Sequence, residues 1–514
     1  MQYSNYNDLE KLIGLKKQKD INRQGILFKT KYNNYFYDTG TGKVILLDSE
    51  SKIIIQALLD KEVTVEEFTQ VLFRRKMREK ANELIKFIEK ENILSNAPID
   101  HFLPLGDYLS EENMKCEQII IELTGNCNLR CKYCIYNQHY TGNRNFNTSN
   151  IDFETARKGM EFVYRHRDSE QLAITFYGGE PLMNYSVMKQ CIDYALENFT
   201  DCNLSFSFTT NLTLMTEERA EYLAQIPNLS ILISIDGPEE IHNAARVYKN
   251  NMPTFSDAFR GLQTLSKAVN KYQNTSLIFN SVLMPPYTRS KFEEINSFFE
   301  SLNFLPENTK VQATYPSPGS IPEHYYKEKE RSGSDPYVDS IDWISWAKEK
   351  ATDKPIIKNR RNLYSTVLET SLVRIHNRPL YDKPLGINFQ NGCCIPGQRR
   401  LYLCTDGTYK ICERIGNSPS IGNVKDGINL NAIKKYYLSD YEDASIEDCS
   451  KCWAIHLCDL CFASCYEKNG INIETKKSLC GEVRSRFKRW LSEYYETLEC
   501  NPKRIEEISD IKVV

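Results

Sequence analysis

Cys127-Asn-Leu-Arg-Cys131-Lys-Tyr-Cys134 sets three thiols within one short segment, directly after the apolar run Ile119-Ile-Ile-Glu-Leu123. Thiolates at this spacing can hold three irons of a cubic iron–sulfur cluster. The fourth iron then has no protein ligand and can bind a small molecule and pass it an electron. A structural zinc ion would need a fourth protein ligand, and only His139 follows the triad closely. A second thiol-rich region runs Cys394-x12-Gly407-x4-Cys412, then Cys449-x2-Cys452-x5-Cys458, Cys461, Cys465 and Cys480. On composition alone, cysteine pairs split by a long gap suit a zinc ribbon.

The elements that must position these groups fall into blocks. From residue 117 onward, strands predicted at Gln118–Glu122, Leu172–Phe176, Leu204–Thr209, Ser230–Ile235, Thr275–Leu283 and Lys310–Ala313 alternate with helices predicted near 152–166, 184–198, 216–225, 256–272 and 290–301. Such alternation argues for a parallel sheet with crossover helices in a curled or partial (β/α) barrel, whose chemistry sits at the C-terminal strand ends. Tyr177-Gly-Gly-Glu-Pro181, Thr209-Thr-Asn211, Ser234-Ile-Asp-Gly-Pro238 with His242 and Arg246, and Phe279-Asn-Ser281 all fall at such ends. Two glycines allow close backbone approach, and Glu180 can accept a hydrogen bond from an ammonium.

Before this block, Gly25–Thr30, Tyr35–Asp38 and Lys43–Leu47 read as strands, with Thr39–Gly42 as a turn; helices are expected near 50–60, 64–76 and 79–93, with a capping signal in Val63-Thr-Val-Glu-Glu. This unit is either a peptide-binding module, whose strand edge would accept an extended peptide, or a cap on the next domain. Residues 316–388 read as a linker or insertion, with breakers at Pro316–Pro322 and Arg331–Pro336 and helices at Val338–Lys350 and Asn362–Ile375. A basic-aromatic helix, Val483–Leu498, and a charged tail close the sequence. The expected division is 1–100, 115–315, 316–388, 389–485 and 486–514.

The composition narrows the function classes. In 514 residues the formal net charge is −3, which disfavours a non-specific nucleic-acid surface. There is no apolar run of transmembrane length and no visible signal peptide. Seventeen cysteines in a chain of this kind point to metal binding in the cytoplasm and not to a disulfide framework. Cys116, Cys191, Cys202 and Cys500 fit no ligand pattern and read as ordinary thiols.

The C-x3-C-x2-C triad, the GGEP segment and the S-I-D-G-P-x3-H-x3-R run occur together and in order, and in this the chain resembles the radical S-adenosylmethionine (radical SAM) enzymes. The resemblance implies a partial (β/α)6-type barrel and a [4Fe–4S] cluster on Cys127, Cys131 and Cys134, with Tyr133 shielding it. It implies that SAM chelates the open iron, its amine held by Glu180 and the Gly178–Gly179 backbone, its ribose by Ser234 and its carboxylate by Arg246. Reductive cleavage of SAM would yield a radical that abstracts a substrate hydrogen. His242 reads as structural and Asp236 as a turn-former.

The later cysteines resemble the SPASM extension of peptide-modifying radical SAM enzymes, which holds two auxiliary [4Fe–4S] clusters. That implies Cys394 and Cys412 on the first and Cys449, Cys452, Cys458 and Cys480 on the second. The chain departs from the pattern at Cys458-Asp-Leu-Cys461-Phe-Ala-Ser-Cys465, so either Cys461 or Cys465 returns to the first cluster, with Cys465 preferred. Cys393 and Cys404 compete for its remaining place, unless that iron stays open. The resemblance spans residues 117–485 and, more loosely, 25–98. It implies a maturase of ribosomally made peptides that installs a thioether or carbon–carbon crosslink, with a leader-bearing precursor peptide and an external donor such as flavodoxin or ferredoxin as partners, and no nucleic acid or membrane. A formylglycine-forming sulfatase maturase is the alternative, but no catalytic carboxylate is evident for it. A non-enzymatic iron–sulfur electron carrier is a second, although a carrier needs no SAM pocket.

Overall fold

The computed structural model describes residues 4–509 except 322–360 and the positions 19, 98, 108, 111–113, 139, 141–142, 168, 318 and 468–469. The expected helix Val338–Lys350, the breaker at Arg331 and His139 lie outside the described residues.

Three antiparallel strands, β1 (Gly25–Lys29), β2 (Asn34–Asp38) and β3 (Val44–Leu47), form a sheet in that order. Helices Ser49–Leu59, Val65–Phe73 and Arg75–Glu91 follow, close to their expected places. The capping signal is real: the Thr64 side chain accepts from Glu67 N at 3.1 Å while Glu67 accepts from Thr64 N at 2.8 Å. A further helix, Ser4–Lys16, was not expected. Its Leu9 and Leu12 enter this unit's own core, and the buried Lys16 ammonium caps the end of Ser49–Leu59 by donating to Ala57 O and Leu58 O.

Six parallel strands make up one side of a ten-stranded sheet: β4 (Cys116–Thr124), β5 (Gln171–Gly178), β6 (Asn203–Thr210), β7 (Leu229–Ile233), β8 (Thr275–Val282) and β9 (Lys310–Thr314), neighbours in chain order. Helices Phe153–Arg165, Tyr185–Asn198, Glu217–Gln225, Phe255–Tyr272 and Arg289–Ser301 connect them, as the alternation predicts. Along β5, Leu172, Ile174 and Phe176 are fully buried in the main core, while the alternate residues are half-buried. The second face is polar, with Gln118 donating to Thr175 and Thr175 sharing a hydrogen bond with Ser207. That face is available for a site.

The sheet is extended by the C-terminal region. β10 (Arg399–Leu403) lies parallel to β4 with Leu401 opposite Ile119 and Leu403 opposite Ile121. β11 (Thr408–Lys410), β12 (Gly422–Asn423) and β13 (Gly427–Ile428) continue from it antiparallel. The helix expected at Val483–Leu498 is longer, Ile473–Cys500; it is followed by a short helix, Pro502–Ile508, and packs on the helix Leu363–His376. It also anchors the N-terminal sheet: Glu499 accepts from Tyr35 OH at 2.6 Å and from Asn33 Nδ2 at 2.7 Å. No helix among the described residues is long and apolar enough to cross a membrane.

Candidate active site

The cysteine segment leaves the end of β4 and is gripped by the turn after β5. Gly179 N donates to Thr124 O at 2.8 Å and Glu180 N to Asn126 O at 2.9 Å. The approach is so close that a Cβ on Gly178 would stand 2.3 Å from Thr124 O, and one on Gly179 1.9 Å from Asn126 O. Gly178 also has φ +128°, a conformation few side chains tolerate. The glycines thus admit the backbone of the cysteine segment itself. The Gly179 amide is thereby engaged by Thr124 O.

Cys127 and Tyr133 are buried and Cys131 and Cys134 nearly so. Burial, then the neighbouring Cys131, pushes the Cys134 thiol up to about 12. Burial also raises Cys127, helped by Glu180 and Cys131. Thiols that raise one another in a closed space need a cation to become thiolates, so the donor set fits an iron–sulfur cluster. Around them, Arg246 Nη1 lies 3.8 Å from Cys131 Sγ, and Asn211 Nδ2 4.0 Å from Cys127 Sγ.

Arg246 is not free for its expected carboxylate in the simple way the sequence suggests. Its Nε is 3.1 Å from Asp236 Oδ2 in a buried ion pair, and Tyr133 OH donates to that same oxygen at 2.7 Å. Asp236 Oδ1 accepts from Val282 N at 3.0 Å, so this residue joins β7, β8 and the cysteine segment. It is more than a turn-former. His242 is structural as expected: its Nε2 meets Thr254 Oγ1 at 3.1 Å, and that hydroxyl donates to Arg246 O.

Glu180 is buried and accepts from Leu182 N, Thr210 Oγ1 and Asn211 N at 3.1, 2.8 and 2.8 Å. Burial outweighs these bonds and lifts its carboxyl to about 7. With the triad, Tyr133, Gly178, Gly179, Ser234 and Arg246, it lines one cavity of about 520 Å³. The predicted residues are therefore brought together.

The same cavity reaches the second cysteine region through Glu413 and Arg414, next to Cys412. Glu413 Oε2 is buried and has no hydrogen-bond partner, whereas Glu180 has three. The sequence reading missed this carboxylate; adjacency to Cys412 was its only signal. Asn143 fixes the region, donating to Glu413 O at 3.2 Å and accepting from Gly416 N at 3.1 Å.

The remaining thiols sort into two neighbourhoods. Cys412 feels Cys461 and Cys394, and Cys461 feels Cys394. Cys480 feels Cys449 and Cys452, and Cys458 feels Cys449. Cys461 thus stands near Cys394 and Cys412, and Cys465 stands near Cys461, with its thiol donating to Phe462 O at 3.5 Å. Cys404 stands apart, beside Glu122, Thr408 and Lys410. Cys393 is buried beside Tyr441, Cys461 and Cys465. Among the described residues no three His, Cys, Asp or Glu side chains converge as the ligands of a single metal ion do.

Residues 121–299 match the Radical SAM superfamily. That stretch is therefore a radical SAM domain, and the family implies SAM and a [4Fe–4S] cluster. An uncharacterized protein of Methanocaldococcus jannaschii is 31% identical over 37% of this chain and 62% of its own length. The radical SAM cyclopropyl synthase TigE of Paramaledivibacter caminithermalis is 26% identical over 36% of this chain and 38% of its own. A cysteine-type anaerobic sulfatase-maturating enzyme of Clostridium perfringens is 28% identical over 29% and 40%. The matches thus span less than two thirds of each relative. The solved structure of native anSMEcpe with bound AdoMet superposes with a TM-score of 0.51 over 77% of this chain and 100% of that one, at 18% identity, and shows the shared fold.

Proposed function

We propose that this chain is a peptide maturase that abstracts a hydrogen from a ribosomally made precursor peptide and installs a thioether or carbon–carbon crosslink. The observation that carries this reading is the single cavity of about 520 Å³ lined both by the cysteine triad and by the residues beside Cys412. When bound, the cluster on Cys127, Cys131 and Cys134 and its SAM supply the one-electron chemistry that breaks an unactivated C–H bond. Glu180 and the carbonyls of Gly178 and Gly179 would hold the methionine amine, and Ser234 the ribose. Arg246 would offer a carboxylate the edge of its guanidinium that Asp236 leaves unused.

Glu413 is the proton acceptor in this reading, because it is the lining carboxylate with an unpartnered buried oxygen. Cys394, Cys412 and Cys461 would bind one auxiliary cluster, leaving one of its irons open, and Cys449, Cys452, Cys458 and Cys480 the other. Thiols spread over separate irons need not converge on a point as zinc ligands do. These clusters would take the electron that product formation returns, and an external flavodoxin- or ferredoxin-like donor would start the cycle. β3 pairs with β2 alone among the described residues, so its outer edge supports leader-peptide docking by strand addition.

Glu413 also favours a second reading, a sulfatase-maturase-like oxidation of cysteine or serine to formylglycine, since it supplies the carboxylate that reaction needs. Anaerobic reconstitution with SAM and dithionite tests both: 5′-deoxyadenosine must form, and its absence returns the chain to an electron carrier. With a precursor peptide, mass spectrometry separates a crosslink from formylglycine. Glu413→Gln should keep 5′-deoxyadenosine formation and lose the finished product.

A further inference from the structure

We propose that Lys476 is the resident counter-cation of the C-terminal thiolate set and raises the reduction potential of the iron–sulfur cluster those thiolates hold, an inference that rests on the auxiliary-cluster reading above. Lys476 lies on the helix Ile473–Cys500, one turn before Cys480, and is 2% exposed. Its ammonium donates to Ser445 Oγ at 2.9 Å and stands 3.6 Å from Cys449 Sγ and 4.3 Å from the centre of the Tyr441 ring. Asn391 Nδ2 approaches the same sulfur at 3.6 Å.

A buried ammonium needs a compensating anion, because an unpaired charge in the interior is strongly destabilising. Among the described residues no carboxylate supplies it. The nearby acids go to the exposed neighbour Lys477, which pairs with Asp448 at 3.1 Å and Glu474 at 3.5 Å. Of the groups Lys476 touches, a hydroxyl, an aromatic ring and one sulfur, the Cys449 sulfur is the one that becomes an anion when it binds a metal. Cys449 is one of the thiols grouped with Cys452, Cys458 and Cys480, and Cys480 follows Lys476 by one turn of the same helix. The ammonium therefore stands against the Cys449 neighbourhood.

Positive charge and N–H donation at a ligand sulfur both stabilise the reduced state of a cluster, because they offset the added electron. Lys476 is in this sense a positioning residue: it acts through Cys449 on the acceptor and need not touch substrate. Lys476→Met keeps the aliphatic stem and removes the charge, while Lys476→Arg keeps the charge.

The test uses the full chain, reconstituted anaerobically, with iron counted and midpoint potentials read by a redox titration followed by electron paramagnetic resonance. Wild type and Cys449→Ala come first. If Cys449→Ala retains all the iron, the auxiliary-cluster reading itself fails. If iron falls as expected, Lys476→Met should shift one midpoint to more negative potential at full iron content, and Lys476→Arg should restore it. Iron lost in the Met variant but kept in the Arg variant would also support the counter-cation. Unchanged midpoints in an iron-replete Met variant would overturn the proposal, as would equal iron loss in both variants, which marks a packing role.

Discussion

Arg246 and Asp236 are locked together beside the first cysteine triad, Nε to Oδ2 at 3.1 Å, with both side chains less than a tenth exposed. The pair is shared by a strand end, the cysteine segment and the residue expected to meet SAM. Removing one partner leaves a buried, uncompensated charge. Asp236→Asn should therefore cost about 3–5 kcal/mol in chemical denaturation of the iron-free chain. The double variant Asp236→Leu/Arg246→Met should recover most of that loss. A single variant as stable as wild type would show that the pair carries no buried charge.

Gly179→Ala tests the grip on the cysteine segment. A Cβ 1.9 Å from Asn126 O cannot be accommodated without moving backbone. The variant should fold, since the clash is confined to one turn, but should lose about four irons after reconstitution, with the later cysteines still loaded. Iron analysis with circular dichroism distinguishes this from general misfolding.

The sorting of Cys461 and Cys465 is open to the same measurement. Cys461→Ser should lower iron content by about four, and Cys465→Ser should leave it near wild type. The reverse result would return Cys465 to the ligand set.

Acid stability should follow His242. Burial, then the charge of Arg246, lowers its pKa from 6.5 to about 4. The unfolded chain binds the proton first, so the contribution of His242 to stability is full above pH 6.5 and falls as pH drops from 6.5 toward 4. A shift of this size corresponds to about 3 kcal/mol. His456, lowered by burial to about 4, titrates in the same window with the same sign. The raised Glu180 carboxyl works in the opposite sense over this range, so His242→Gln should visibly flatten the decline in urea midpoint between about pH 6.5 and 4.5.

Much of this architecture is readable from the chain because its signals are local. The six strands β4 to β9 are β-rich runs bounded by turn residues, and the helices between them carry their own caps, such as Asp152 accepting from Thr155 N. The triad, Glu180 and Ser234 could be found because strand ends of one parallel sheet must share a face. β10 to β13 escaped notice because they are short and depend on pairing with β4, a contact between distant parts of the sequence. Ser4–Lys16 escaped because two buried leucines make a faint stripe. Glu413 and Lys476 were illegible for another reason: each is an ordinary surface residue type, and only its surroundings make it a buried group.

The pairing of β10 with β4 has a consequence for biosynthesis. The outer edge of β4 emerges from the ribosome long before β10 exists, so a row of backbone donors and acceptors waits without its mate. Glu413 and Arg414, which complete the cavity wall, come later still. The nascent chain can thus build its central helices and strands early, yet it has no enclosed reaction chamber until translation is well advanced. Premature termination after β9 but before Arg399 would release a sheet whose β4 edge is unpaired, in place of a slower enzyme.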